Sequence, residues 1–175
     1  MTLARRGRAI RKTLLAYGEG QTEKAFLKYL KSVYSWNQNI AVSVCCNSGK
    51  CPKTIINNAI KKIKTFLFDK TFILLDKDVE WPEASVNKAV KHEIDLIGCN
   101  PCIEGFFLSL LEPKLNLNSL KSDKCKKIFE QKYLNSSEKL EASNYAKIFP
   151  KTKLEKMRKK NKKLDRIIKL IANES

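Results

Sequence analysis

Apolar residues in this chain fall into short unbroken runs, separated by stretches in which they recur every three or four positions. The run at residues 13–17 (TLLAY) has the continuity of a strand buried on both faces. It ends in Gly18-Glu19-Gly20, and residues 22–34 then read as a helix, with Thr22 as a candidate N-cap and Phe26, Leu30 and Val33 at helical spacing. Ile40–Cys46 reads as a second strand, Asn47-Ser48-Gly49-Lys50 as a turn, and Pro52 as the first turn of a helix carrying Ile56, Ile60 and Ile63. A third strand, residues 71–75 (TFILL), runs straight into Asp76-Lys77-Asp78. A short helix over residues 84–92 and a fourth strand, Ile94–Cys99, follow; Asn100-Pro101 then opens a helix that reaches about Leu111.

Strands alternating with helices predict an α/β fold: a mainly parallel sheet flanked by helices. In such a sheet functional groups gather beyond the carboxyl ends of the strands. Those ends carry Glu19, Ser48-Gly49-Lys50, the Asp76/Asp78 pair and residues 100–104, so four carboxylates converge on one rim.

Charge narrows the class of partner. The 175 residues hold 35 Lys and Arg against 18 Asp and Glu, a net charge of +17, which points to a polyanion. The excess is uneven: 17 basic against 11 acidic residues through Pro113, and 18 against 7 from Lys114 on. The expected organisation is an α/β domain over residues 1–112, led by a basic arm at 1–12, and a basic helical extension over 113–175. No apolar run is long enough to span a bilayer and the start lacks the features of a signal peptide, so no membrane partner and a cytoplasmic location are expected. Six cysteines offer one C-x-x-C pair, Cys99 and Cys102, with no second pair and a single histidine, His92, so they are expected to be reduced packing residues.

The carboxylates carry the candidate chemistry. Asp76 and Asp78 alternate with Lys77, so an extended backbone points both the same way, and two such oxygen donors suit a hard cation such as magnesium. Glu19 lies in a glycine-flanked turn, and Glu104 in the first turn of its helix, where the helix dipole favours a negative charge. Four acids on one rim repel each other unless cations neutralise them. Singly, each has a plainer reading as a solvated loop residue or helix-start acid.

A glutamate after the first strand with a D-x-D after a later one resembles the TOPRIM domain. The finer resemblance is to the RloB-like family of TOPRIM proteins, carried by an Arg-rich start (residues 5–12), the turn Glu19-Gly20-Gln21-Thr22-Glu23, Asp76-Lys77-Asp78, and Asn100-Pro101-Cys102-Ile103-Glu104. It covers about residues 5–112. The sequence departs from the pattern at Tyr17-Gly18, Lys77 and Gly105-Phe106-Phe107, and keeps every carboxylate.

The resemblance implies a TOPRIM-like fold and a nuclease dependent on Mg2+ (or Mn2+), acting on DNA or RNA in a phage-defence or restriction setting. Glu19, Asp76 and Asp78 would be catalytic, and these three with Glu104 would be metal ligands. A partner ATPase or other defence-system protein belongs to the same expectation. The alternatives are a non-catalytic TOPRIM module that binds nucleic acid or a partner, and a nucleotidyl-transfer enzyme.

An acidic rim repels a phosphate backbone, so basic groups must hold it. The candidates are Arg5, Arg6, Arg8 and Arg11 in the arm, Lys50 and Lys77 at strand ends, and Lys159, Lys160 and Lys163 in the extension. Residues 151–171 read as one amphipathic helix with Leu154, Met157, Leu164, Ile168 and Ile171 on its seam and Asn161 filling the remaining seam position. Removing everything after Pro150 is expected to leave the body folded, weaken nucleic-acid binding and flatten its salt dependence; the competing reading is that Leu154, Met157, Leu164 and Ile168 seal the core.

Overall fold

The computed structural model describes residues 11–36 and 38–174. Each apolar run is a strand: β1 (Lys12–Gly18), β2 (Ile40–Cys46), β3 (Lys70–Asp76) and β4 (Ile94–Cys99). They form one sheet in the order β2-β1-β3-β4, with every pairing parallel. The connecting helices are α1 (Gln21–Tyr34), α2 (Pro52–Thr65) and α3 (Glu83–Lys91), and α4 (Ile103–Leu111) follows β4. The fold is α/β, as the alternation of runs predicts.

Side-chain alternation along the strands divides the buried residues between two cores. Leu14, Ala16, Phe72 and Leu74 face one way, against Phe26, Leu27 and Leu30 of α1 and Phe107 of α4. Leu15, Tyr17, Ile73 and Leu75 face the other, against Ile55, Ile56 and Ala59 of α2 and Ala89 of α3. The chain leaves β1 toward the first face and β3 toward the second. The sheet order therefore reverses between β1 and β3, and a crevice opens at their carboxyl ends, where ligands of open α/β sheets bind.

Beyond α4 lie α5 (Ser122–Lys132), α6 (Tyr145–Ile148), α7 (Lys151–Arg158) and α8 (Lys162–Ala172), joined in part by short 3-10 turns. These residues share the first core. Cys125, Phe129, Tyr145, Phe149, Leu154, Leu164, Ile168 and Ile171 are fully buried in it. The ring of Phe107 meets Phe26 at 4.8 Å, Phe129 at 5.2 Å, Tyr145 at 5.5 Å and Phe149 at 5.6 Å. The expectation that the body stays folded without residues after Pro150 is corrected: Leu154, Leu164 and Ile168 are part of this core, so the stripe seals it.

Three local expectations are corrected. Residues 151–171 are two helices, not one: Asn161 is no seam residue but the N-cap of α8, its side-chain oxygen accepting the Leu164 N–H at 3.0 Å. An N-cap Asn satisfies an otherwise orphaned amide, which favours a break there over a continuous helix. At α1 the N-cap is Gly20 and not Thr22, which is buried inside the first turn. The helix after Pro101 starts at Ile103, with Cys102 as its N-cap.

The six cysteines are unpaired. Cys99, Cys102 and Cys125 are buried packing residues, whereas Cys51 is exposed. No helix among the described residues is long and apolar enough to cross a membrane.

Candidate acidic site at the sheet crevice

The carboxyl ends of β1 and β3 are tied together by main-chain and side-chain bonds. The Glu19 N–H donates to the Leu74 carbonyl at 3.1 Å, and the Asp76 N–H donates to Glu19 Oε2 at 2.9 Å. Asp76 is thus held beside Glu19 at the reversal point. The Lys77 N–H bonds the Cys99 and Pro101 carbonyls at 2.8 and 2.9 Å, which fixes the end of β4 and the start of α4 against the same point.

A fifth acid completes the group. Glu23, in the first turn of α1, is 4% exposed, and its Oε2 accepts the Gly20 N–H at 2.8 Å. The approach is close: a Cβ on Gly18 would stand 2.7 Å from the Glu23 Cβ, so only glycine leaves room there. Glu104, 2% exposed, enters from the first turn of α4, where a Cβ on Gly105 would strike Pro101 Cδ at 2.7 Å. Glu23 appears in the sequence within the motif that begins at Glu19, yet it passes there for a helix-start acid.

Crowding shows in the protonation equilibria. Burial, then the charges of Glu23, Glu19, Asp78 and Glu104, push Asp76 up to about 9. Burial pushes Glu23 up to about 7, with main-chain hydrogen bonds opposing and Glu104 and Glu19 adding to the rise. Glu19 is also raised by burial, against the stabilising Asp76 N–H. Carboxyls that resist ionisation together want positive charge between them.

Part of that charge comes from residues after 112, none of which stands out in the sequence. Lys139 donates to Glu104 Oε1 and to Glu130 Oε1, both at 2.7 Å, with its side chain only 12% exposed. Ser122, at the start of α5, donates to Asp78 Oδ2 at 2.7 Å. Lys126 of α5 is half-buried; burial opposes its charge, but Glu104, Cys102, Asp76 and Asp78 hold its pKa above the ordinary lysine value. No periodic pattern marks these three positions.

The basic candidates are spread more widely. Lys77 is exposed; it lies along Gly98 and sets its ammonium 5.6 Å from the Trp81 ring, whose Nε1 donates to the Asp76 carbonyl at 2.8 Å. Lys163 lies 5.4 Å from the Phe106 ring, and burial, aided by the charge of Lys77, lowers its pKa. Lys50 is exposed in the turn after β2, at the same end of the sheet. Lys159 and Lys160 are exposed at the α7–α8 break, and Lys160 borders Pro113 past the far end of α4, away from the acids. Arg11 is exposed at the opposite, amino-terminal end of β1; Arg5, Arg6 and Arg8 lie outside the described residues.

The site has the composition of a hard-cation site without its closed geometry. Among the described residues no three His, Cys, Asp or Glu side chains are gathered closely enough to hold a metal ion as they stand. Two buried carboxylate oxygens, Asp76 Oδ1 and Glu104 Oε2, have no hydrogen-bond partner among the described residues. An all-oxygen donor set with orphaned carboxylate oxygens fits magnesium or manganese, which take such ligands and keep several waters.

A family model, described as RloB-like protein, matches residues 14–173. The chain belongs to the RloB-like family. The match runs on through α8, so it spans the helical segment after α4 as well as the acidic crevice. No curated protein and no solved structure matches the chain.

Proposed function

We propose that this RloB-like protein is a cytoplasmic, divalent-metal-dependent nuclease of the TOPRIM type that hydrolyses phosphodiester bonds of DNA or RNA, in a phage-defence or restriction setting. The observation that carries the reading is the pair of buried, partnerless oxygens on Asp76 and Glu104 among five carboxyls at the reversal point of the sheet. Buried polar atoms in folded proteins are nearly always satisfied, so an orphaned pair beside mutually repelling acids calls for a cation.

Asp76 and Asp78, with Glu19 and Glu104, would hold the metal. When bound, Mg2+ or Mn2+ supplies charge neutralisation at a phosphoryl oxygen and a water acidified toward neutral pH. The chain's own part is positioning. The Asp76 N–H fixes one Glu19 oxygen and leaves Oε1 free to accept a proton. Ser122 fixes one oxygen of Asp78 and leaves the other. Lys126 provides a cation beside the acids, and Lys77 an exposed one over the Trp81 ring, to offset repulsion of the phosphate backbone.

One observation favours the alternative, a non-catalytic module that binds nucleic acid or a partner protein. Lys139 already compensates Glu104, so the rim is partly neutral without a metal. The test is incubation of purified protein with labelled single- and double-stranded DNA and RNA, with Mg2+, with Mn2+ and with chelator. The expected result is cleavage that needs the metal and is abolished in Asp76→Ala. Cleavage that survives chelation, or an Asp76→Ala protein as active as wild type, overturns the metal mechanism. Binding without turnover under either metal selects the alternative.

A further inference from the structure

The end of the molecule opposite the acids carries a second feature. A groove of about 870 Å³ lies between the carboxyl-terminal end of α1 and the amino-terminal ends of β1 and β2. Arg11, Lys28 and Lys31 line it, with Trp36, Gln38 and Asn39, and no carboxylate among the described residues does. The three cations enter none of the ion pairs formed among the described residues. Trp36 is 78% exposed, although a tryptophan ordinarily buries most of its ring.

We propose that this groove is a nucleic-acid contact separate from the acidic crevice, which takes a single-stranded segment with one base stacked on Trp36 and the neighbouring phosphates on Lys28, Lys31 and Arg11. An exposed indole between cations offers what an unpaired nucleotide needs: an apolar face for the base and positive charge for the backbone. A duplex is a poorer match, because its base faces are already covered by their neighbours. The chain's own arm is no complement either, since Arg5, Arg6 and Arg8 carry the sign the groove already has.

The geometry gives the contact a length scale. α1 has Glu23 in its first turn and Lys31 in its last, and its 14 residues span about 20 Å. That distance corresponds to about six phosphates along one strand at the spacing of B-form DNA. An extended single strand covers more per nucleotide, so about six is the upper bound on the nucleotides needed to reach from Trp36 to the crevice. The inference shares with the proposed function its nucleic-acid partner and nothing of its chemistry.

The test is fluorescence anisotropy of labelled oligothymidylate and oligouridylate, about a dozen nucleotides long, in chelator so that no cleavage intervenes. Trp36→Ala is expected to weaken binding of both about thirtyfold, the middle of the range for one stacked base. Lys28→Glu with Lys31→Glu is expected to weaken it further and to lower the salt slope by about two. Oligonucleotide is also expected to quench tryptophan emission in wild type and not in Trp36→Ala, with melting temperatures unchanged because the replaced side chains are exposed. Binding by Trp36→Ala within about twofold of wild type, a preference for duplex, or no binding by wild type would each overturn the groove. None of these bears on metal-dependent cleavage, which is read separately with long substrates in Mg2+ or Mn2+.

Discussion

The main-chain N–H of Asp76 donates to the carboxylate of Glu19 at 2.9 Å, which braces β3 against the turn after β1 with one of the acids of the crevice. Glu19 thus has a structural duty and a proposed chemical one, and two substitutions separate them. Glu19→Gln retains an oxygen to accept the Asp76 N–H and should unfold in denaturant much as wild type does. Glu19→Ala leaves that partly buried amide without its partner and should cost about 1–3 kcal/mol. Both should lose metal-dependent cleavage.

Stability should fall as pH rises in metal-free protein. Asp76 is held at about 9 and Glu23 at about 7, both above the values of an unfolded chain. The folded state then binds more protons than the unfolded one above about pH 4, so the stabilisation present at low pH is lost progressively up to about pH 7 for Glu23 and pH 9 for Asp76. The groups facing Asp76 are Glu19, Glu23, Asp78 and Glu104, with Lys126 as the cation whose charge they favour. Melting curves in chelator should show a decline from pH 5 to pH 8 that Asp76→Asn flattens. Mg2+ or Mn2+ should raise the melting temperature of wild type most at the alkaline end, since a ligand of the folded state stabilises it.

Lys139 supports two acids at once, and its removal should be felt in the fold. Glu104 is 2% exposed, so Lys139→Met leaves a buried carboxylate without its counter-charge, at a cost of about 3–5 kcal/mol near neutral pH. Adding Glu104→Gln to Lys139→Met should recover much of the loss. A double variant no more stable than Lys139→Met would place the contribution of Lys139 in its bond to Glu130. Urea denaturation of the two proteins decides.

Truncation after Pro150 should unfold the protein. Leu154, Leu164, Ile167, Ile168 and Ile171 are fully buried in the core that covers α1 and one face of the sheet. At about 1.5–3 kcal/mol for each large apolar side chain, their loss is comparable to the roughly 5–15 kcal/mol by which domains are ordinarily stable. Far-UV circular dichroism with thermal melting checks it. A truncated protein that melts cooperatively near the wild-type temperature would contradict the packing.

Much of the fold is legible in the sequence because local and global signals agree there. Leu14-Leu15-Ala16-Tyr17 and Phe72-Ile73-Leu74-Leu75 are unbroken because alternate residues serve two different cores. Glu19, Asp76 and Asp78 are legible because they stand at or just past strand ends, and Glu104 because it opens the helix after β4; a parallel sheet brings such positions to one rim. Other features carry no local mark. Lys139 and Ser122 reach Glu104 and Asp78 from segments whose apolar spacing is weak, and only tertiary packing brings them there. The break at Asn161 is hidden because the apolar stripe stays in phase across it; the capping preference of asparagine is the one signal for it. Glu23 hides behind a favourable role as a first-turn acid.

The burial of α8 beside α1 has a consequence for synthesis. The two helices lie about 140 positions apart along the chain and belong to one core. As the polypeptide leaves the ribosome, the sheet face bearing Leu14, Ala16, Phe72 and Leu74 can be only partly covered until residues 162–172 have been made. Contacts this distant in sequence close slowly, and an apolar face left open meanwhile is prone to aggregation. The crevice is bound to the same order of events: Glu19, Asp76 and Glu104 are made early, but the cation of Lys139 and the helices that seal the core come later, so the acids gain their scaffold only when the chain is nearly complete.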